Sequence, residues 1–322
     1  MDVRRSEGRP RLRPGDVLLG HGEGAVSWGI RRFDESDVDR AAIALDADSV
    51  AEVSEAGLRR RPWEEVVAEG RFSYIRRLPN EADPARVADR ARLLLSEPSR
   101  YVDRRLVSLA ILAMTRRLPF ATASLRAVVR GVLDRASELV DGVVAAGGSF
   151  LPSAQFVYRC FEESGDPRSS LSIMFPAVHP SSTLSRTGPG SGETTLIGWA
   201  IARNEPVVVP RLSSVETVAD RELDASITAF AMDDGPQDAF VATSHTSVSR
   251  QPVGVVTDDE LLVSAVRFRN QMNRFAVMAD PDPWAAFRTA ADLVTAGDLR
   301  YSPSLATVGS VRPEPRRAMI GG

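Results

Sequence analysis

The sequence contains no lysine, so all 40 of its basic residues are arginine, and Cys160 is its single cysteine. One cysteine cannot form an internal disulfide, which excludes a disulfide-stapled fold and fits a reducing compartment. Because alanine, valine and aspartate are abundant, we interpret the missing lysine as a coding bias and not as a functional signal. The glycine-containing segment 20–29 therefore has no P-loop lysine, and it also lacks the glycine spacing of a dinucleotide fingerprint.

Neither sign of charge dominates, and no long apolar run is present. The 40 basic and 43 acidic residues leave a net charge of -3, which argues against a broad nucleic-acid surface. The most apolar run, 106–114, is far short of the roughly 20 residues that span a bilayer, and the N-terminus has no apolar signal region. His179 and His245 have no partner at ligand spacing. The sequence therefore predicts a cytoplasmic protein with no membrane span, no metal and no cofactor.

The hydrophobic pattern changes along the chain from strand-like to helix-like. Short apolar segments separated by turn residues occupy 14–78, and the turn at 46–49 predicts a hairpin. Helical spacing begins near residue 83, with helices predicted over 101–117, 125–144 and 152–164. Thr257 and Glu260 have the spacing of a capping box before another amphipathic helix. The pattern predicts an α+β fold in which an antiparallel sheet packs against helices.

Composition divides the chain into an ordered domain and a long irregular insertion. We predict an N-terminal tail over 1–13, one domain built from 14–165 and 257–311, and a C-terminal tail over 312–322. The segment 166–256 is predicted to be a partly disordered insertion, because 13 of the 17 residues in 179–195 are Ser, Thr, Gly or Pro.

Three segments in a set order carry a family resemblance. They read RPGDVLLGHGEG at 13–24, DRAAIALDADSVAEVSEAGLRRRPWEEV at 39–66 and SFLPSAQFVYRCFEES at 149–164, with support from DLRYSPSLATVG at 298–309. In this order they resemble the circularly permuted papain-like hydrolases of the NlpC type, which are cysteine peptidases and amidases. The resemblance implies a permuted papain-like fold and amide, peptide or acyl-ester substrates.

In that family a histidine begins one strand, a polar residue on the next strand orients it, and a cysteine begins a later helix. The matching positions here hold Arg40, Glu52 and Ser153. An arginine stays protonated and cannot act as a general base, and a serine hydroxyl is a weak nucleophile without one. The resemblance therefore implies a catalytically degenerate hydrolase homologue. Its cleft is retained for binding a small amide, ester or peptide-like ligand, or a protein partner.

The residues themselves leave other interpretations open. Ser153 follows a proline before an apolar-periodic helix, so it is either an N-cap or a serine nucleophile. Three interpretations of Arg40 are open. Arg40 is a solvated residue at a strand edge, it pairs with Glu52 across the cleft, or its planar guanidinium binds an anionic ligand through two parallel hydrogen bonds. Cys160 shares one helical stripe with Phe156 and other apolar residues, which predicts a buried structural cysteine.

Two further functions are alternatives to the non-catalytic binding protein. One is an active amide or ester hydrolase that uses Ser153 as its nucleophile, with a base such as His21 approaching from a new direction. The other is an interaction protein that works through the insertion 166–256. The decisive observation is whether the side chains at 40, 52 and 153 converge in one pocket.

Overall fold

The structure of the protein is a computed structural model. It describes residues 11–69, 72–79, 83–97, 101–116, 123–164, 195–196, 223, 225–228, 230, 256–275 and 294–310. The Ser/Thr/Gly/Pro-rich run on which the predicted insertion rests lies outside the described residues up to residue 194. The predicted C-terminal tail 312–322 also lies outside them. Of the predicted tail 1–13, residues 11–13 are described, and Leu12 is buried against the sheet.

A six-stranded antiparallel sheet forms the centre of the fold, in the order β4-β3-β2-β1-β5-β8. Its strands are β1 Val17–Gly20, β2 Arg40–Ala44, β3 Ser49–Ser54, β4 Gly57–Pro62, β5 Phe72–Arg77 and β8 Ala306–Ser310. Two short strands, β6 Tyr101–Val102 and β7 Ser149–Phe150, pair in parallel as a second sheet.

Eight helices have both of their ends among the described residues. They are α1 Ala25–Phe33, α2 Trp63–Ala68, α3 Ala85–Ser96, α4 Arg105–Thr115, α5 Ala123–Ala145, α6 Ser153–Glu162, α7 Asp258–Phe275 and α8 Ala296–Tyr301. The predicted α+β class, with an antiparallel sheet packed against helices, is confirmed, and it is consistent with a papain-like fold. None of the described helices combines the length and apolarity needed to cross a bilayer.

Local sequence signals account for several of these elements. The predicted hairpin is β2–β3, and the Asp46 carboxylate stabilises its turn by accepting hydrogen bonds from the Asp48 N–H and the Ser49 hydroxyl. The predicted capping box is present: Thr257 N–H donates to Glu260, and Glu260 N–H donates to the Thr257 hydroxyl.

The prediction of a helix from residue 101 is wrong at its start. Residues 101–102 form β6, and α4 begins only at Arg105. The reason is tertiary, because 101–102 pair with Ser149 and Phe150, almost fifty residues away in the chain. Asp103 lies in the short connection between β6 and α4.

The sheet buries a different core on each face. One face packs against α3, α6 and α8, and the other packs against α2. A third cluster joins α1, α4, α5 and α7. Described residues of the predicted insertion belong to this helical cluster, since Leu223, Ile227 and Phe230 are buried there and Phe230 makes an edge contact with Trp28. Burial of this apolar surface is the main favourable contribution to folding.

Candidate functional site

The three residues predicted from the sequence lie around one cavity. Arg40 begins β2, Glu52 lies on β3 opposite Ala42, and Ser153 begins α6. All three line a cavity of about 320 Å³, and Asp103 and Arg105 line it as well. The cavity is therefore built where the ends of two neighbouring strands meet the start of one helix.

The Ser153 hydroxyl forms a hydrogen bond with strand β2 and does not cap its own helix, α6. Its hydroxyl accepts a hydrogen bond from the Ala41 N–H at 3.3 Å. The β2–β3 ladder ends at the pair Ala42–Glu52, and Ala41 is one residue beyond it. The N-cap interpretation of Ser153 is therefore wrong, because Pro152 occupies the N-cap position of α6. The hydroxyl instead completes the hydrogen bonding of β2.

Asp103 is one of the site residues that sequence reasoning missed. Its Oδ2 accepts the Ser153 backbone N–H at 3.3 Å, so a carboxylate from another part of the chain stands at the N-terminus of α6. Burial raises the pKa of Asp103 to about 6, against the opposing effects of the Arg105 and Arg40 guanidiniums and of hydrogen bonds from Ser153. The sequence signal that could have identified Asp103 was its position directly before two arginines and an apolar helix.

Glu52 is held by two arginines of the neighbouring strand. Its Oε1 accepts hydrogen bonds from Arg59 at 2.9 and 3.2 Å and from Arg61 at 3.3 Å. Arg61 continues the network to Glu69 at 2.5 Å. Glu52 is buried, and this network offsets part of the cost of burying its charge.

Arg105 is fixed by a second buried carboxylate that the sequence analysis did not single out. The Asp39 side chain accepts hydrogen bonds from the Gly22 N–H at 2.9 Å, from the Ser27 hydroxyl and from Arg105. Asp39 thereby joins the loop after β1, the start of α1 and the start of α4. These hydrogen bonds to Asp39 hold the Arg105 guanidinium at the wall of the cavity.

A smaller cavity of about 50 Å³ adjoins the site. It shares Asp103, Arg105 and Ser153 with the larger cavity, and its other lining residues are mostly apolar. The three shared residues therefore form the wall between a polar compartment and a more apolar one.

The described residues that line the two cavities include neither of the groups that thiol hydrolysis requires. The described residues that line the larger cavity include no cysteine and no histidine. Cys160 is fully buried beside Phe156 in the core, as predicted, and burial raises the pKa of its thiol. His21 is exposed and does not line either cavity. Among the described residues, no group of three or more His, Cys, Asp or Glu side chains is placed to hold a metal ion.

Asp103 acts as an acceptor at the start of α6, since its Oδ2 accepts the Ser153 backbone N–H at 3.3 Å. The chemistry that the lining residues offer is recognition: guanidinium donors, carboxylate acceptors and one hydroxyl, arranged around a cavity large enough for a small ligand.

Comparison with known proteins finds a partial relationship to a peptidase. The chain is 34% identical over 71 residues to the probable lipoprotein peptidase YaeF of Escherichia coli (strain K12), a match that covers 22% of this chain. The match spans about a quarter of the relative's length (26%). No family model and no solved structure matches the chain. Because that relative is called a lipoprotein, the predicted cytoplasmic location stays a prediction.

Proposed function

We propose that this protein is a catalytically degenerate papain-like hydrolase homologue whose cavity binds a small amide, ester or peptide-like ligand without cleaving it. The observation that carries the proposal is that Arg40, Glu52 and Ser153 line one cavity. These are the positions at which the resembled family has its histidine, its polar residue and its cysteine. The partial similarity to a peptidase supports the hydrolase relationship, and circular permutation is part of the proposal.

The loss of cleavage follows from the chemistry of the two replaced positions. A serine hydroxyl needs a neighbouring base to attack a carbonyl, and a guanidinium cannot accept its proton near neutral pH. The Ser153 hydroxyl also accepts a hydrogen bond from Ala41, which draws electron density from the oxygen. The cavity retains directed hydrogen-bonding groups, so binding does not depend on the missing pair.

The proposal is tested by measuring binding and cleavage on the same sample. The full chain is titrated by calorimetry with N-acetyl-dialanine, its amide and its methyl ester, and each ligand is then recovered and analysed by mass spectrometry. We expect saturable binding of at least one ligand and recovery of intact ligand. Cleavage products above the buffer background would overturn the non-catalytic part of the proposal and favour Ser153 as a nucleophile.

Two matched variants locate the binding site. Ala56 is exposed and lines the cavity, so Ala56→Trp should fill the cavity and abolish binding. Ala145 is exposed at the end of α5 and lines neither cavity, so Ala145→Trp should bind like the wild type. Equal binding by both variants would show that the ligand does not occupy this cavity.

A further inference from the structure

Two arginine side chains converge on Gly22 beside the cavity. A Cβ placed on Gly22 would lie 2.7 Å from Arg105 Nη1, 2.9 Å from Arg40 Nε and 3.0 Å from Arg40 Nη2. The absence of a side chain at Gly22 therefore lets two guanidiniums pack next to each other. Both arginines also line the larger cavity.

Two guanidinium groups lie side by side at this point. Two neighbouring guanidiniums repel each other, and an anion between them removes that cost. Asp39 contacts Arg105, and Asp103 lies near both arginines. Glu52, the other buried carboxylate of the wall, is engaged by Arg59 and Arg61 on β4.

The same wall contains polar atoms whose hydrogen bonding is incomplete. Within the described part of the chain, the Nε of Arg105 and the Oδ1 of Asp103 are buried and have no hydrogen-bond partner. Burying such atoms without a partner is unfavourable, so native proteins rarely leave them without a reason. The wall of the cavity therefore contains one buried guanidinium donor and one buried carboxylate acceptor whose hydrogen bonding is incomplete.

We infer that Arg40 and Arg105, packed over Gly22, form a recognition site for a carboxylate group of the bound ligand. The inference rests on the proposed binding function and narrows its ligand to an acidic peptide-like molecule. Guanidinium groups suit a carboxylate because their planar fork donates two parallel hydrogen bonds. The arginine at the family's histidine position is therefore a specificity-determining residue rather than a remnant.

The test compares two ligands that differ only in charge. N-acetyl-dialanine has a free carboxylate, and N-acetyl-dialanine amide has a neutral carboxamide in its place. We expect the full chain to bind the acid at least about tenfold more tightly in calorimetric titrations at pH 7.5. Equal affinities would leave the binding function standing and overturn the carboxylate inference. No binding of the acid, the amide or the ester would overturn both. Binding of inorganic phosphate as tight as that of the acid would also overturn the carboxylate assignment.

Variants then assign the preference to the two arginines. Arg40→Met should abolish the preference for the acid, whereas Arg40→Lys should retain only part of it because an ammonium lacks the fork. Gly22→Ala displaces both guanidiniums while contacting only flexible side-chain ends, so it should reduce the preference in a protein that still folds. Gly142→Ala is the matched control, because its Cβ meets no atom within 4 Å. A full preference in folded Gly22→Ala or Arg40→Met would contradict the assignment.

Discussion

The Ser153 hydroxyl, at the first residue of α6, accepts a hydrogen bond from the backbone N–H of Ala41 on β2. This contact joins residues 112 positions apart and ties the start of the helix to the strand that begins with Arg40. It explains why the cavity has a defined shape although its walls come from distant parts of the chain. It also determines which substitutions at the site are informative.

The first prediction concerns restoration of a thiolate–imidazolium pair. Ser153→Cys together with Arg40→His should give a thiol at position 153 that titrates clearly below the ordinary value of about 8.5. The reason is that a histidine on the strand can accept the thiol proton, and the start of the helix stabilises the thiolate. The measurement is the rate of iodoacetamide labelling at position 153 as a function of pH.

The single variants are the controls for this experiment. Neither Ser153→Cys nor Arg40→His alone should hydrolyse amides or esters measurably, because nucleophile and base act as a unit. Native Cys160, which is buried, provides a slowly labelled reference in the same sample. An ordinary thiol pKa in a well-folded double variant would count against the family assignment of positions 40 and 153.

The second prediction concerns the pH dependence of stability due to Asp103. Burial raises its pKa in the folded protein to about 6, although Arg40, Arg105 and Ser153 oppose the shift, and the ordinary value is 3.8. Since the folded state binds this proton more tightly than the unfolded state, the group destabilises the fold progressively as pH rises from about 4 to 6. The cost reaches about 3 kcal/mol above that range.

Asp103→Asn removes this proton equilibrium and isolates it from other groups. Relative to the variant, the wild type should lose about 2 kcal/mol in the free energy of unfolding between pH 4 and pH 7. Urea denaturation at several pH values measures the difference, and Asp89→Asn reports the effect of the same change at an exposed position. A wild type that gains stability relative to Asp103→Asn over this range would contradict the prediction.

The third prediction concerns the reactivity of Cys160. In the native protein its thiol should react slowly with Ellman's reagent, and in denaturant it should react quickly. The side chain is fully buried and burial raises the pKa of the thiol, so both access and thiolate concentration are low. Rapid labelling under native conditions would show that this face of α6 opens to solvent.

The fourth prediction concerns Gly15, in the turn before β1. Gly15 has a φ of +80°, and a Cβ there would lie 2.5 Å from the Pro84 carbonyl oxygen. Gly15→Ala should therefore lower the free energy of unfolding by about 3 kcal/mol, combining backbone strain with a clash against backbone that cannot move freely. Chemical denaturation measures this loss.

Gly147→Ala separates the two contributions. Gly147 also has a positive φ, +64°, but a Cβ there meets no atom within 4 Å. Gly147→Ala should lower the free energy of unfolding by only about 1 kcal/mol, because it adds the strain of the backbone conformation alone. If the two variants are equally stable, close packing against Pro84 makes no contribution and the explanation for Gly15 fails.

The sequence by itself determined those features that depend on neighbouring residues. The β2–β3 hairpin follows from the turn chemistry of Asp46 and Ser49, and α7 follows from periodicity together with the capping box at Thr257. The burial of Cys160 follows from its helical stripe. These signals act within a few residues, so they can be interpreted without knowing the fold. The three candidate positions required the family resemblance in addition.

Only the tertiary structure decided which groups meet in the cavity. Asp103 lies 50 residues from Ser153, and Arg105 lies 66 residues from Asp39, so no local pattern predicts either contact. Ser153 illustrates the difference most clearly. Its position before an apolar helix indicates an N-cap, yet its hydroxyl binds the Ala41 N–H because packing brings β2 within reach. Side-chain hydrogen bonds follow proximity in space, and proximity between distant segments exists only after the core has formed.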